Sequence, residues 1–166
     1  MKNESIADSY SAKEKIHERL RATVSEIADA EATALSDGEK WTIQQLVEHV
    51  SIVEFNIARI CAKLLEAAKT NGKPSDGTLA LSDDVAAKWA AAADAKLEAP
   101  ERVHPTGEVS IASAFDQINE NRETFEAMRD DFESYDDSQS WFPHPYFGNL
   151  TASDWFVLSG GHAARH

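Results

Sequence analysis

Two histidines stand four residues apart in the closing stretch Ser159-Gly160-Gly161-His162-Ala163-Ala164-Arg165-His166. On a helix, positions i and i+4 share a face about 6 Å apart along the axis, a spacing that suits joint ligation of one metal ion. Neutral imidazole is the commonest protein ligand for such ions, and three of them on zinc or a similar divalent ion leave a position open for water or substrate. A third ligand is needed, and His49 is the candidate. It lies on the edge of an apolar helical stripe, one turn from Leu46 and one turn from Val53, and so faces the interior. The competing reading is ordinary: histidines recur at this spacing by chance, and a single histidine on an apolar face is commonly a hydrogen-bonded core residue. Ala163 stands where a zincin helix carries glutamate, so a metalloprotease is not supported. Glu48 adjoins His49 but is turned about 100° around the helix, which makes it a surface residue or one behind the ligand rather than a base.

Four long helices would position these residues. The first is expected over residues 6–34, with Ile6, Tyr10, Ile16, Leu20, Val24, Ile27 and Ala34 at helical spacing, and Ser36-Asp37-Gly38 ends it. Thr42 and Gln45 form a capping box for the second, which carries His49 and runs to about residue 69, where Asn71-Gly72-Lys73-Pro74 stops it. Its expected stripe is Leu46, Val50, Val53, Ile57, Ile60 and Leu64, with Trp41 stapling back onto the first turns. Residues 74–107 read as a crossover containing an alanine-rich helix over 83–97, capped by Ser82. The third bundle helix starts near Ser110 and presents Ile111, Ala114, Phe115, Ile118, Phe125, Met128 and Phe132. Asn121 and Arg122 interrupt that stripe, either lining a cavity or, for Arg122, simply facing solvent. Trp141 to Gly148 reads as an aromatic loop that two prolines keep out of helix, and no strand pattern is evident. Thr151 and Asp154 then open the last helix, whose inner face is Ala152, Trp155, Ser159, His162 and His166.

Other chemistry has little footing. Cys61 sits mid-helix among Ile57, Ile60 and Leu64 and reads as inert packing; His17 and His104 have no partner pattern; His144 reads as turn structure. Gly160 and Gly161 inside a helix fit close approach of another helix or a ligand, and ordinary tight packing explains them equally well. The acidic run over 130–137 reads as a solvated helix end and loop. No Gly-rich phosphate loop or internal repeat is present.

Composition bounds the rest. The 166 residues suffice for one domain spanning 1–166. A formal charge of -13 and a pI near 4.8 argue against nucleic acid and against acidic lipid surfaces. A single cysteine excludes an intrachain disulfide, Met1-Lys2-Asn3-Glu4 leads into no apolar signal segment, and no run of about 18 apolar residues occurs, so a soluble, cytoplasmic protein is expected.

Trp41-Thr42-Ile43-Gln44-Gln45-Leu46-Val47-Glu48-His49, the stretch from Ala99 to Pro105, His144-Pro145-Tyr146-Phe147-Gly148-Asn149-Leu150-Thr151 and the closing His162-x-x-Arg165-His166 together make a pattern. In that order, and covering nearly the whole chain, they resemble the DinB-like (DinB/YfiT) superfamily of four-helix-bundle metalloproteins. The resemblance implies an all-α, up-down-down-up bundle with a long crossover between helices 2 and 3, frequent homodimerisation, and a divalent transition metal, zinc or nickel, on His49, His162 and His166. It further implies thiol-dependent transfer or hydrolysis, with a small-molecule substrate and a low-molecular-weight thiol. In the family the last helix usually continues past the third ligand, whereas here His166 lies at a helix end that frays, making it the weakest of the three. The alternative is a non-catalytic dimeric bundle with a stress-related or small-ligand-binding role. An enzyme should show a cavity lined by Asn121, Arg122 or Trp155 and open to the metal, and a binding or structural module should have them packed or turned away.

Overall fold

Ser5 opens the first helix by accepting a hydrogen bond from the Asp8 amide, and α1 runs Ile6–Ser25. The computed structural model describes residues 5–93, 95 and 97–166; the Met1-Lys2-Asn3-Glu4 start, and positions 94 and 96 of the expected 83–97 helix, lie outside them. α1 is shorter than its periodicity implies. The Glu26 amide turns back to the Thr23 and Val24 carbonyls, Ala28 is extended, and a short α2 (Asp29–Ala32) follows. Val24 and Ala32 are both buried, so the inward positions continue across the break and read as one helix.

α3 (Ile43–Asn71) has the expected capping box, with Thr42 Oγ1 accepting from the Gln45 amide at 3.2 Å and Gln45 Oε1 from the Thr42 amide at 3.0 Å. Gly72 ends it at φ +68°, where an L side chain would be strained. Its buried face runs through Val47, Val50, Glu54, Ile57, Cys61, Leu65 and Ala68. Leu46, Val53 and Ile60 are only half-buried, so the face is rotated from the expected stripe. α4 is limited to Asp83–Ala91, and Ser82 Oγ bonds Asp154 instead of capping it. A 3₁₀ turn (Glu101–Val103) follows in the crossover.

The third bundle helix is two segments, α5 (Ile111–Ala127) and α6 (Arg129–Ser134), separated at Met128, whose carbonyl accepts from the Asp131 and Phe132 amides to restart the helix. The expected aromatic loop contains a small antiparallel hairpin, β1 (Phe142–His144) with β2 (Gly148–Leu150). The prolines exclude helix but suit extended backbone, and His144 Nδ1 accepts the Tyr146 and Phe147 amides to make the turn. α7 (Ala152–Arg165) begins with a second capping box from Thr151 and Asp154.

Contacts along the helices fix their directions. Tyr10 bonds the Phe125 carbonyl while Arg21 bonds Asn119, so α1 and α5 are antiparallel. Glu48 meets Gly107, Asn121 meets Ser51, and Pro74 pairs with Tyr135, so α3 and α5 run parallel. Cys61 meets Ala152 and His49 meets His162, so α7 runs against α3. The result is the all-α up-down-down-up bundle with its long crossover between the second and third bundle helices. Among the described residues, no helix is long and apolar enough to cross a membrane.

Candidate metal centre

Three imidazoles from two antiparallel helices converge at one end of the bundle. His49 Nε2 lies 3.1 Å from His162 Nε2, which lies 3.2 Å from His166 Nε2, and a nitrogen of each ring falls within 4.8 Å of the other two. His49 is buried, His162 half-buried and His166 exposed, so the group opens to solvent on the His166 side. Tetrahedral zinc with Zn–N bonds of about 2.0–2.1 Å places its ligand nitrogens roughly 3.3 Å apart, close to the two short separations. The group could therefore hold a metal ion.

The surroundings fix which nitrogen points inward. His49 Nδ1–H donates to the Val103 carbonyl at 2.7 Å, leaving the Nε2 lone pair aimed at His162. The crossover that carries Val103 is tied to α3 by Glu48, which lies buried beside His49 rather than at the surface, the second of the two placements its sequence position allowed. Its buried carboxylate accepts from the Thr106 amide at 2.8 Å, the Thr106 hydroxyl at 2.7 Å and the Gly107 amide at 2.9 Å, pinning the crossover to α3. Gly107 sits at φ +79°, and a Cβ there would lie 3.0 Å from Gln45 Nε2, so this loop position requires glycine. The Trp41 ring rests on His49 at 4.8 Å between centroids and on His104 at 5.5 Å, so it walls the site as well as preceding the helix cap. Arg165, between His162 and His166, bonds the Ala92 and Ala95 carbonyls beyond α4 and ties down the last turn.

Burial keeps the imidazoles neutral, the form that ligates. His162 is pushed down to about 3, by burial first and then by His166 and His49. His166, though exposed on its outer side, falls to about 4, first because its ring is partly desolvated against His49 and His162 and then by His49 and Arg165. His49 is lowered by burial, partly offset by its bond to Val103 and added to by His104.

Residues outside the triad divide clearly. Cys61 is fully buried, its thiol pushed up by burial, as the inert reading required. His144 serves the hairpin turn and His104 bonds the Ala99 carbonyl. The glycines admit neighbouring side chains rather than a ligand: a Cβ on Gly161 would meet Trp89 at 3.0 Å, and one on Gly160 would meet Ile16 at 3.5 Å. The expected cavity at the triad is not formed by Asn121, Arg122 and Trp155. Asn121 is buried and donates to the Ser51 carbonyl, Trp155 is buried, and Arg122 instead borders a cleft of about 390 Å³ between α1 and α5. Sequence reasoning missed a buried polar cluster made by His17, Lys13 and Glu54. Glu54 Oε1 accepts from Lys13 Nζ at 2.9 Å and lies 2.7 Å from His17 Nε2. The signal was available, since Lys13, His17 and Glu54 each occupy inward helical positions.

A four-helix, up-down-down-up bundle with three histidines gathered from its second and last long helices defines a class of candidate metal-binding bundles. A family model described as the DinB superfamily matches residues 13–166, and the chain belongs to that superfamily. Neither a curated protein nor a solved structure gives a match.

Proposed function

We propose that this protein binds one divalent transition metal ion, zinc or nickel, through Nε2 of His49, His162 and His166, and uses it in the cytoplasm for thiol-dependent transfer or hydrolysis, as a homodimer. The observation that carries the reading is the convergence of the three Nε2 atoms, with the His49 tautomer fixed by Val103. An ion bound there would lower the pKa of a coordinated water or thiol into the neutral range. The chain's own part is positional. Val103 and Glu48 orient His49, Arg165 anchors the turn carrying His166, Trp41 shields one side, and the exposed His166 side gives a small substrate access. Cys61 is buried, so the thiol is supplied by a low-molecular-weight partner.

A second reading has its own support: Asn121 and Trp155 are packed, as a non-catalytic bundle with a stress-related or small-ligand-binding role requires. Metal-loaded protein assayed with a small monothiol plus a chromogenic electrophile, and separately with chromogenic esters, separates the two. Metal-dependent turnover abolished by His162→Ala supports the enzyme. One bound metal without turnover in either assay favours the second reading.

A further inference from the structure

Among the buried side-chain polar atoms without a protein partner, which include His17 Nδ1 and Trp155 Nε1, two have complementary chemistry. One is His162 Nδ1, and the other is the second oxygen of Glu54, Oε2. When His162 Nε2 holds a metal ion, the ring proton resides on Nδ1, which then needs an acceptor. The Glu54 carboxylate is completely buried and has an acceptor to offer. Burial alone would raise its pKa, but the Lys13 ammonium and His17 outweigh that and hold it below the usual carboxylate range. Lys13 also ties Glu54 to the helix that carries His162. Its Nζ donates both to Glu54 Oε1 on α3 and to Ser159 Oγ on α7, and Ser159 shares a helix face with His162, three residues on.

We propose that Glu54 is a positioning residue of the metal centre, its Oε2 accepting from His162 Nδ1–H through one buried water, with Lys13 and His17 fixing the carboxylate. The inference rests on the metal-binding reading above. A histidine ligand characteristically donates its outer N–H to a carboxylate, a carbonyl or water, and loss of such a partner weakens metal affinity about 10–100-fold. A water with polar groups on both sides is the ordinary means of joining buried groups that do not touch. His49 has its outer acceptor in Val103, and Glu54 supplies the equivalent for His162.

The test compares Zn²⁺ affinity, by competition with a chromophoric chelator, for the full chain, Glu54→Gln and Lys13→Met, alongside thermal unfolding of each. Glu54→Gln should bind Zn²⁺ about 10–100-fold more weakly. Lys13→Met should lose at least as much thermal stability yet weaken Zn²⁺ binding less than Glu54→Gln does, because the carboxylate keeps both oxygens and its His17 partner and loses only one of the groups that fix it. A role confined to holding the helices together would instead lower both affinities in step with stability. In the unmutated Zn²⁺-loaded protein, ¹⁵N-histidine NMR should show a slowly exchanging His162 Nδ1–H, a readout that does not depend on any variant folding. Unchanged Zn²⁺ affinity in folded Glu54→Gln, or a fast-exchanging His162 Nδ1–H, overturns the inference and leaves the metal reading standing. Failure of the unmutated chain to bind Zn²⁺ overturns both.

Discussion

His49 Nε2 and His162 Nε2 lie 3.1 Å apart although 113 positions separate them, because α7 runs back against α3 and brings its final turns to the start of the longer helix. The separation suits ligands of a common ion, and what holds it leads to the following expectations.

The histidines make stability depend on pH. An unfolded histidine takes up a proton near pH 6.5, roughly, whereas His162 does so only at about 3 and His166 and His144 at about 4. Between those values the unfolded state binds more protons, so stability falls as pH falls. Glu54 adds to the loss at lower pH, since its depressed pKa stabilises the fold only while the carboxylate is ionised. Metal-free protein should show a steadily decreasing Tm as the pH is lowered from about 7 to about 4.5, by calorimetry. A flat profile would count against neutral, buried imidazoles.

Glu48 should matter more than a surface acid would. Glu48→Ala removes the acceptor of three loop hydrogen bonds, and bonds to a charged group contribute about 1.5–3 kcal/mol each at most. A loss of about 2–4 kcal/mol by urea unfolding is expected, with weaker metal binding because Val103 loses its support. Wild-type stability in this variant would favour the surface alternative that the sequence position of Glu48 left open.

Lys13 and Glu54 form a buried pair whose halves depend on each other. Lys13→Met alone should destabilise by about 3–5 kcal/mol, because Glu54 is left without its ammonium partner. The double variant Lys13→Met/Glu54→Gln should recover much of that stability in chemical denaturation. Additive losses would show that the two do not interact.

The neighbouring glycines of α7 should respond differently to alanine. A Cβ at Gly160 makes ordinary contact with Ile16, so Gly160→Ala gains helix propensity and should stabilise by about 0.5–1 kcal/mol. At Gly161 the Cβ meets Trp89 at 3.0 Å, and the displacement of that ring should cancel or reverse the gain. Thermal unfolding of the two single variants measures the contrast, and an equal rise in both would show that Trp89 yields freely.

Much of this arrangement is legible in the sequence because it is local. The capping boxes at Thr42/Gln45 and Thr151/Asp154 follow from side-chain chemistry three residues apart, and the i, i+4 pair follows from helical pitch. The membership of His49 in the group follows from its inward position and the family resemblance. The break after Ser25 was hidden because the inward positions continue through α2. The interruption at Met128 was hidden likewise by the apolar pattern crossing from α5 into α6. The burial of Glu48 and Glu54 could not be read from charge, since each is satisfied by groups far along the chain, Thr106 and Gly107 for one and Lys13 and His17 for the other. By charge alone such acids look solvent-facing, and for Glu54 its inward helical position was the local sign to the contrary.

The central claim is that His49, His162 and His166 hold one metal ion. The measurement is elemental analysis of protein purified without a histidine tag, beside His49→Ala prepared identically. The account predicts about one equivalent of zinc or nickel in the unmutated protein and a large loss in the variant. Protein that holds no divalent metal even after incubation with Zn²⁺ or Ni²⁺, or that holds the same amount in His49→Ala, would contradict it.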